Sequence, residues 1–286
     1  LCAALQGKHG VLSEVKRTLR QAPPPAAYDL TELQRDANRK YAYSAKETLS
    51  LMQSLYERHK LLTYPRTDSR YISDDVVSTL PERLKSVMVD EYRDLARAIL
   101  MKRPLQTRFL VDNARVTDHH AILPTEEQPE LFRLSGPERN IYDLEVRRFL
   151  AVLLPPCEYE ETRLTLTVGG ETFTARGKIM KEPGWRAAYG LFLLEEDEEE
   201  EGEEREQSLP PLRQGDSVEV LSARVSTGKT APPKRYTEAT LLTAMEHPPT
   251  QGMDRAQGKI LEETGGLGTP ATRADIIEKL FSAFYI

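Results

Sequence analysis

The chain has 286 residues, enough for two or so domains with cores of their own. No stretch approaches the roughly 18 to 20 apolar residues of a membrane span, no signal segment opens the chain, and Cys2 and Cys157 are too few and too separated for a disulfide framework or a zinc site, which fits a cytoplasmic location. The formal charge of −6 does not exclude a nucleic-acid partner: ten of the 45 carboxylates lie between Glu195 and Glu206 against Arg205 alone, and the remainder carries a net charge of about +3.

Residues 1–27 end in Pro23-Pro24-Pro25, which cannot continue a helix and marks a boundary. Thr31 to Lys40 reads as a helix, and Ser44-Ala45-Lys46-Glu47 is a capping box opening a second one. Leu51, Met52, Leu55 and Tyr56 share one face of that helix, which runs to Leu61 and delivers the string Leu62-Thr63-Tyr64-Pro65-Arg66-Thr67-Asp68-Ser69. Ser73-Asp74-Asp75 predicts an N-capped helix carrying Val76, Val77 and Leu80, and Glu91 to Met101 predicts another. A second string, Asp118-His119-His120-Ala121-Ile122-Leu123-Pro124-Thr125, precedes a helix over Ser135 to Leu153 that Pro155-Pro156 ends.

The period then changes to two. Thr162 to Val168 alternates, Gly169-Gly170 turns, and Glu171 to Ala175 returns, a β-hairpin pattern, with a further strand over Asp216 to Val225. The acidic run 195–206 between them reads as a solvated, disordered loop, because like charges repel and nothing apolar anchors them; a DNA mimic or partner tail is the other reading. These strands and the opening segment are expected to form a β-domain into which the helical part is inserted. Helices return over Thr237 to Met245 and Pro270 to Phe281, the latter with proline in its first turn. The chain lacks an initiator methionine and ends on the apolar Phe281-Ser282-Ala283-Phe284-Tyr285-Ile286, so it is expected to be a piece of a longer polypeptide.

Tyr64 and Arg66 form the most chemically suggestive pair. A tyrosine that attacks a phosphodiester needs a fixed hydroxyl and a nearby cation, and Pro65 stiffens the backbone between the two. The planar guanidinium can bind two phosphate oxygens at once. The plain alternative is a half-buried tyrosine beside an arginine paired with Asp68. Adjacent histidines on an extended chain face opposite sides, so His119 can reach a phosphate while His120 turns inward. The tyrosine nickases of rolling-circle replication need two histidines separated by one residue and aimed at one metal, which His119-His120 does not provide. Lys234, Arg235 and Thr237 stand just before a helix start, where N–H groups and cations favour phosphate. Gly266, Gly268, Thr269, Thr272 and Arg273 form a second junction of that type. Tyr41, Tyr43, Tyr56 and Trp185 could stack bases, and none is assigned a role.

The string Leu62 to Ser69 resembles the active-site tyrosine motif of type IA DNA topoisomerases, and the proline after the tyrosine resembles the topoisomerase III branch. The His119 string, Pro232-Pro233-Lys234-Arg235-Tyr236-Thr237-Glu238-Ala239-Thr240-Leu241-Leu242, and Gly266-Leu267-Gly268-Thr269-Pro270-Ala271-Thr272-Arg273-Ala274 are similar to family segments in the same order. The resemblance implies an α+β, multidomain fold. Its β-rich gate domain would comprise residues 1–27 and 155–232, a helical, winged-helix-like tyrosine domain 28–154, and the start of a helical DNA-binding domain 233–286. It also implies Tyr64, Arg66 and His119 as catalytic residues and single-stranded DNA contacts at Lys234, Arg235, Thr237, Thr272 and Arg273. Magnesium, but no ATP, would serve the complete enzyme, its acidic ligands lying in a TOPRIM domain outside this chain, since no Asp-x-Asp-x-x-Gly string occurs here. The fragment alone would then be inactive. A non-catalytic, winged-helix-like reader of duplex DNA is the alternative. Its recognition helix should be basic, whereas Ser44 to His59, followed by Lys60, balances Lys46, Arg58 and Lys60 with Glu47 and Glu57.

Overall fold

The structure, a computed structural model, describes residues 2–190, 209–248, 259, 261 and 265–285; the acidic run 195–206 lies outside them. The chain divides into two compact units, Leu1–Pro23 with Pro155–Pro233, and Pro24–Leu154 with Lys234–Ile286.

The first unit is a sheet. After a short helix α1 (Cys2–Leu5), strands β1 (His9–Ala22), β2 (Cys157–Val168), β3 (Glu171–Glu182) and β4 (Ser217–Glu219) pair antiparallel in the order β3-β2-β1-β4. Gly169 and Gly170 both take positive φ, +58° and +88°, which two-residue hairpin turns demand and side chains resist, so Val168 pairs directly with Glu171. The opening segment contributes more than expected: β1 spans 14 residues and pairs with β2 from Val11↔Thr167 to Ala22↔Cys157. The expected strand 216–225 pairs only over Ser217–Glu219. At the base of the sheet, Trp185 Nε1 donates to Ala22 O, and Gly184 lies so close to the Pro155 and Pro156 carbonyls that a Cβ would meet them at 2.3–2.6 Å.

The second unit is mainly helical: α2 (Leu30–Tyr41), α3 (Ala45–Glu57), α4 (Leu80–Ser86), α5 (Arg93–Met101), α6 (Gly136–Val152), α7 (Glu238–Glu246) and α8 (Pro270–Ser282). Asp29 and Ser44 cap α2 and α3 by accepting from Glu32 N–H and Glu47 N–H, and Ser135 with Glu138 closes a reciprocal box on α6. The helix expected from Ser73 is split into a 3₁₀ turn, Asp74–Thr79, and α4, whose second residue is Pro81. Leu33 and Ala37 of α2, Met52 and Leu55 of α3, and Ile141 and Phe149 of α6 are fully buried. Lys234–Ile286 belong to this unit as well, where Leu242 and Met245 of α7 and Ala274 and Ile277 of α8 form one cluster with Ala45 at the start of α3.

A charged cluster is buried beside that apolar one. Arg273, 2% exposed, donates to Thr31 Oγ1, Gly265 O and Leu267 O and lies 3.8 Å from Glu246. Arg35 bonds Glu246 and Glu32. Arg148 donates to Asp36 and Ala26 O and stacks over Tyr28 at 4.0 Å. Such groups tolerate burial because each finds an opposite charge or a carbonyl.

Two carboxylates of α6 respond to burial in opposite ways. Burial raises Glu138, but hydrogen bonds from Ser54 and Ser135 and the nearby His59 outweigh it and hold the carboxyl down at about 2. Burial lifts Glu145 well above the carboxylate range, only partly opposed by Arg148, and neither of its oxygens has a hydrogen-bond partner. The depressed Glu138 contributes stability above its unfolded value of 4.5, and that contribution is lost as pH falls toward 2. The raised Glu145 contributes below 4.5 and loses that contribution as pH climbs through its folded value. Thermal melts at pH 7.5 should therefore show Glu138→Gln lowering Tm by about 3 °C or more and Glu145→Gln raising it. The Glu145→Gln gain should disappear near pH 4.5; a gain independent of pH would mean that the carboxyl is not protonated on folding.

Candidate active site

Residues 61–72 run extended between two flanking pieces of chain. Thr63 N–H donates to Leu123 O, Leu123 N–H to Thr63 Oγ1, Thr125 N–H to Leu61 O and Ala121 N–H to Tyr71 O, so the 121–125 segment holds one side. Leu30 N–H donates to Thr67 O, and Arg70 reaches Asp29 at 2.8 Å and Glu32 at 3.0 Å, tying the segment to the start of α2. The side chains of an extended segment alternate. Pro65, Thr67 and Ser69 are buried, whereas Tyr64, Arg66 and Asp68 all face solvent. Thr67 Oγ1 donates to His119 O at 3.2 Å, and Ser69 Oγ donates to Arg115 O at 2.8 Å, so the buried row also fixes the loop carrying His119.

The result is a juxtaposition across chain segments. The His119 ring lies 4.4 Å from the Tyr64 ring at 45°, and Tyr56 approaches the same ring at 5.6 Å and 80°. Tyr64 is 37% exposed, and among the described residues no group holds its hydroxyl by a hydrogen bond. A cavity of about 290 Å³ beside it is lined by Ser73, Asp75, Thr117, Asp118, His119 and His120. A second, of about 190 Å³, lies on the other side of His119, between Arg66, Asp68 and the first residues of α8, Thr269-Pro270-Ala271. The spacing-allowed pair between Arg66 and Asp68 is not formed among the described residues; Asp68 accepts from Thr117 Oγ1 at 3.2 Å instead. Arg66 lines that second cavity and has no carboxylate partner among the described residues.

His120 lines the same cavity as Tyr64, with Nδ1 2.6 Å from Ala121 O. Lys234, Arg235 and Thr237 are exposed at the start of α7, outside both cavity linings. The Thr237 hydroxyl closes a capping box with Thr240, and Thr272 closes another with Thr269 at the start of α8. Arg273, expected to contact DNA, is buried at the start of α8, with its guanidinium donating to Thr31 and to two backbone carbonyls. Thr117, Asp118 and Asp75 were not among the expected site residues. Asp118 could have been found from its place beside His119, whereas Asp75 comes from a distant turn with no local signal.

Among the described residues no three His, Cys, Asp or Glu side chains converge on one point. No described helix is long and apolar enough to cross a membrane.

The family model for DNA topoisomerase matches residues 1–286. Over essentially the whole chain, it is 51% identical to DNA topoisomerase 3 of Bacillus licheniformis and 52% identical to that of Bacillus subtilis, covering 100% and 99% of this chain. It spans 39% of the length of each of these relatives. Among solved structures, full-length topoisomerase I from Thermotoga maritima superposes with a TM-score of 0.66 at 24% identity, over 98% of this chain and 42% of that one, a likeness of fold. The chain belongs to the type IA DNA topoisomerase family and is topoisomerase III-like.

Proposed function

We propose that this chain is the tyrosine-bearing part of an ATP-independent enzyme that breaks, passes and rejoins single strands of DNA. The observation that carries the reading is the exposed row Tyr64-Arg66 with His119 against the tyrosine ring. The Tyr64 oxygen attacks a backbone phosphorus and loses its proton; the bond from phosphorus to the 3′-oxygen breaks, and that oxygen takes up a proton as a 3′-hydroxyl. The DNA is left joined through a 5′-phosphotyrosyl bond, which conserves the energy needed for resealing. Arg66 stabilises the extra negative charge of the five-coordinate phosphorus, and His119 hydrogen-bonds a phosphate oxygen. Strand passage through the held break relaxes negatively supercoiled DNA or unlinks catenated circles.

Magnesium belongs in this reading to a TOPRIM domain upstream, so the 286-residue chain by itself would bind single strands weakly and cut nothing. Residues 28–154 would be a winged-helix-like domain inserted in a β-rich gate, working in the cytoplasm. Lys234 and Arg235 would pair with backbone phosphates as these approach the start of α7, with Thr237 and Thr272 shaping the two helix N-termini. The duplex-reading alternative leaves the aligned Tyr64 and Arg66 without a task.

With the natural upstream sequence restored, end-labelled single-stranded DNA and magnesium should yield a denaturation-resistant adduct that Tyr64→Phe abolishes at unchanged Tm. Arg66→Ala should slow adduct formation by about 10² to 10³. An adduct in Tyr64→Phe would refute the nucleophile assignment. In the same longer protein, Arg235→Ala should reduce the salt dependence of single-strand binding, lowering the slope of log K against log salt by about 0.7. Arg273→Met should leave that slope unchanged and instead lower Tm, because it strips a buried partner from Glu246 and Gly265 O.

A further inference from the structure

The proposed nucleophile is held only by its ring. With no hydrogen bond on its hydroxyl among the described residues, the direction in which the Tyr64 oxygen points depends on what packs against the aromatic face and edges. Two rings do so, His119 at 4.4 Å and Tyr56 at 5.6 Å. His119 is assigned to a phosphate oxygen in the proposed reaction. Tyr56, on the last turn of α3 and half-buried, has no such assignment.

The local chain explains why Tyr56 can hold this position. Lys60 takes the left-handed conformation at φ +59°, which turns the chain back after α3, and Leu61 N–H returns to Leu55 O. The turn brings residue 64 alongside residue 56, with the two rings nearly perpendicular at 80°. Lys60 Nζ lies 5.9 Å from the centroid of the Tyr56 ring, within reach of a cation–π attraction that restrains that ring in turn. In-line displacement requires the attacking oxygen within about 3–3.5 Å of phosphorus and opposite the leaving oxygen, so a tyrosine free to change rotamer spends less time in the reactive geometry.

We infer that Tyr56 is a positioning residue for the nucleophile: its ring, not its hydroxyl, restricts Tyr64 to the orientation from which it attacks phosphorus. The inference rests on the proposed role of Tyr64. A perpendicular ring pair of this kind accounts for roughly a three- to tenfold change in rate, less than the effect of removing a charge-stabilising donor.

The test uses the longer, magnesium-dependent protein in single-turnover cleavage of saturating single-stranded DNA, with DNA affinity and melting temperature measured in parallel. Tyr56→Leu, which keeps apolar bulk, and Tyr56→Ala should slow cleavage three- to tenfold without changing the dissociation constant for DNA. Tyr56→Phe should cleave at the wild-type rate. A 3-fluorotyrosine placed at position 64 should change its ¹⁹F chemical shift in Tyr56→Leu but hardly in Tyr56→Phe, a readout that needs no DNA. If Tyr56→Ala fails to fold, Tyr56→Leu carries the test. A wild-type cleavage rate in Tyr56→Leu, or equal slowing in Tyr56→Phe, overturns the inference while leaving the Tyr64 adduct intact. A wild-type protein that forms no Tyr64-dependent adduct overturns the proposed function and this inference with it.

Discussion

The site depends on one extended stretch of backbone clamped on both sides. Between Leu61 and Ile72 the chain makes hydrogen bonds to residues 121–125 along one flank and to Leu30 along the other, while Arg70 is tethered to Asp29 and Glu32. Once its conformation is extended and one row of side chains is buried, the other row has no choice of direction. Tyr64, Arg66 and Asp68 are thus presented together, and the burial of Pro65, Thr67 and Ser69 is the physical cause of that presentation. A slip of one residue would exchange the rows and bury the phenol. Because Thr67 also binds the backbone carbonyl of His119, the clamp that aims the tyrosine aims the histidine as well.

Charge works differently in the interior of the helical unit than at its surface. Arg66 lies exposed, with no carboxylate partner among the described residues, the condition in which a guanidinium can receive phosphate. Arg273 and Arg35 converge on Glu246, buried between α2, α7 and α8, where loss of one partner strands another charge. Two arginines in comparable motif strings therefore sit in opposite surroundings, one exposed and one buried.

Much of this architecture was legible in the residues. The Gly169-Gly170 turn with its alternating flanks predicted the hairpin, and Ser135 with Glu138 predicted the start of α6. Where reading failed, the missing information was tertiary. β1 alternates clearly only over its first residues, and the rest of its 14-residue length is stabilised by pairing with β2, more than 130 residues later. The burial of Arg273 had no local signal, because the carboxylate beside it lies 27 residues earlier on another helix. Asp75 entered the tyrosine cavity through a fold contact that its own neighbourhood does not encode. The motif strings identified Tyr64, Arg66 and His119 as candidates, but only the folded chain brings Tyr56 against the first and His119 beside it.

The long β1–β2 pairing also bears on how the chain assembles. β2 and β3 are joined by a two-residue turn and can zip locally within about 1–10 μs, the timescale of isolated hairpins. β1 must find β2 across the whole of Pro24–Leu154, a search whose entropy cost grows with the length of the intervening coil. Folding of that insertion draws its ends together, through the Tyr28–Ile122 bridge and the bond from Arg148 to Ala26 O, and shortens the search. Chain connectivity makes the β2–β3 hairpin the local element and the β1–β2 pairing the high-contact-order one, so joining the interior strand β1 is the slow step.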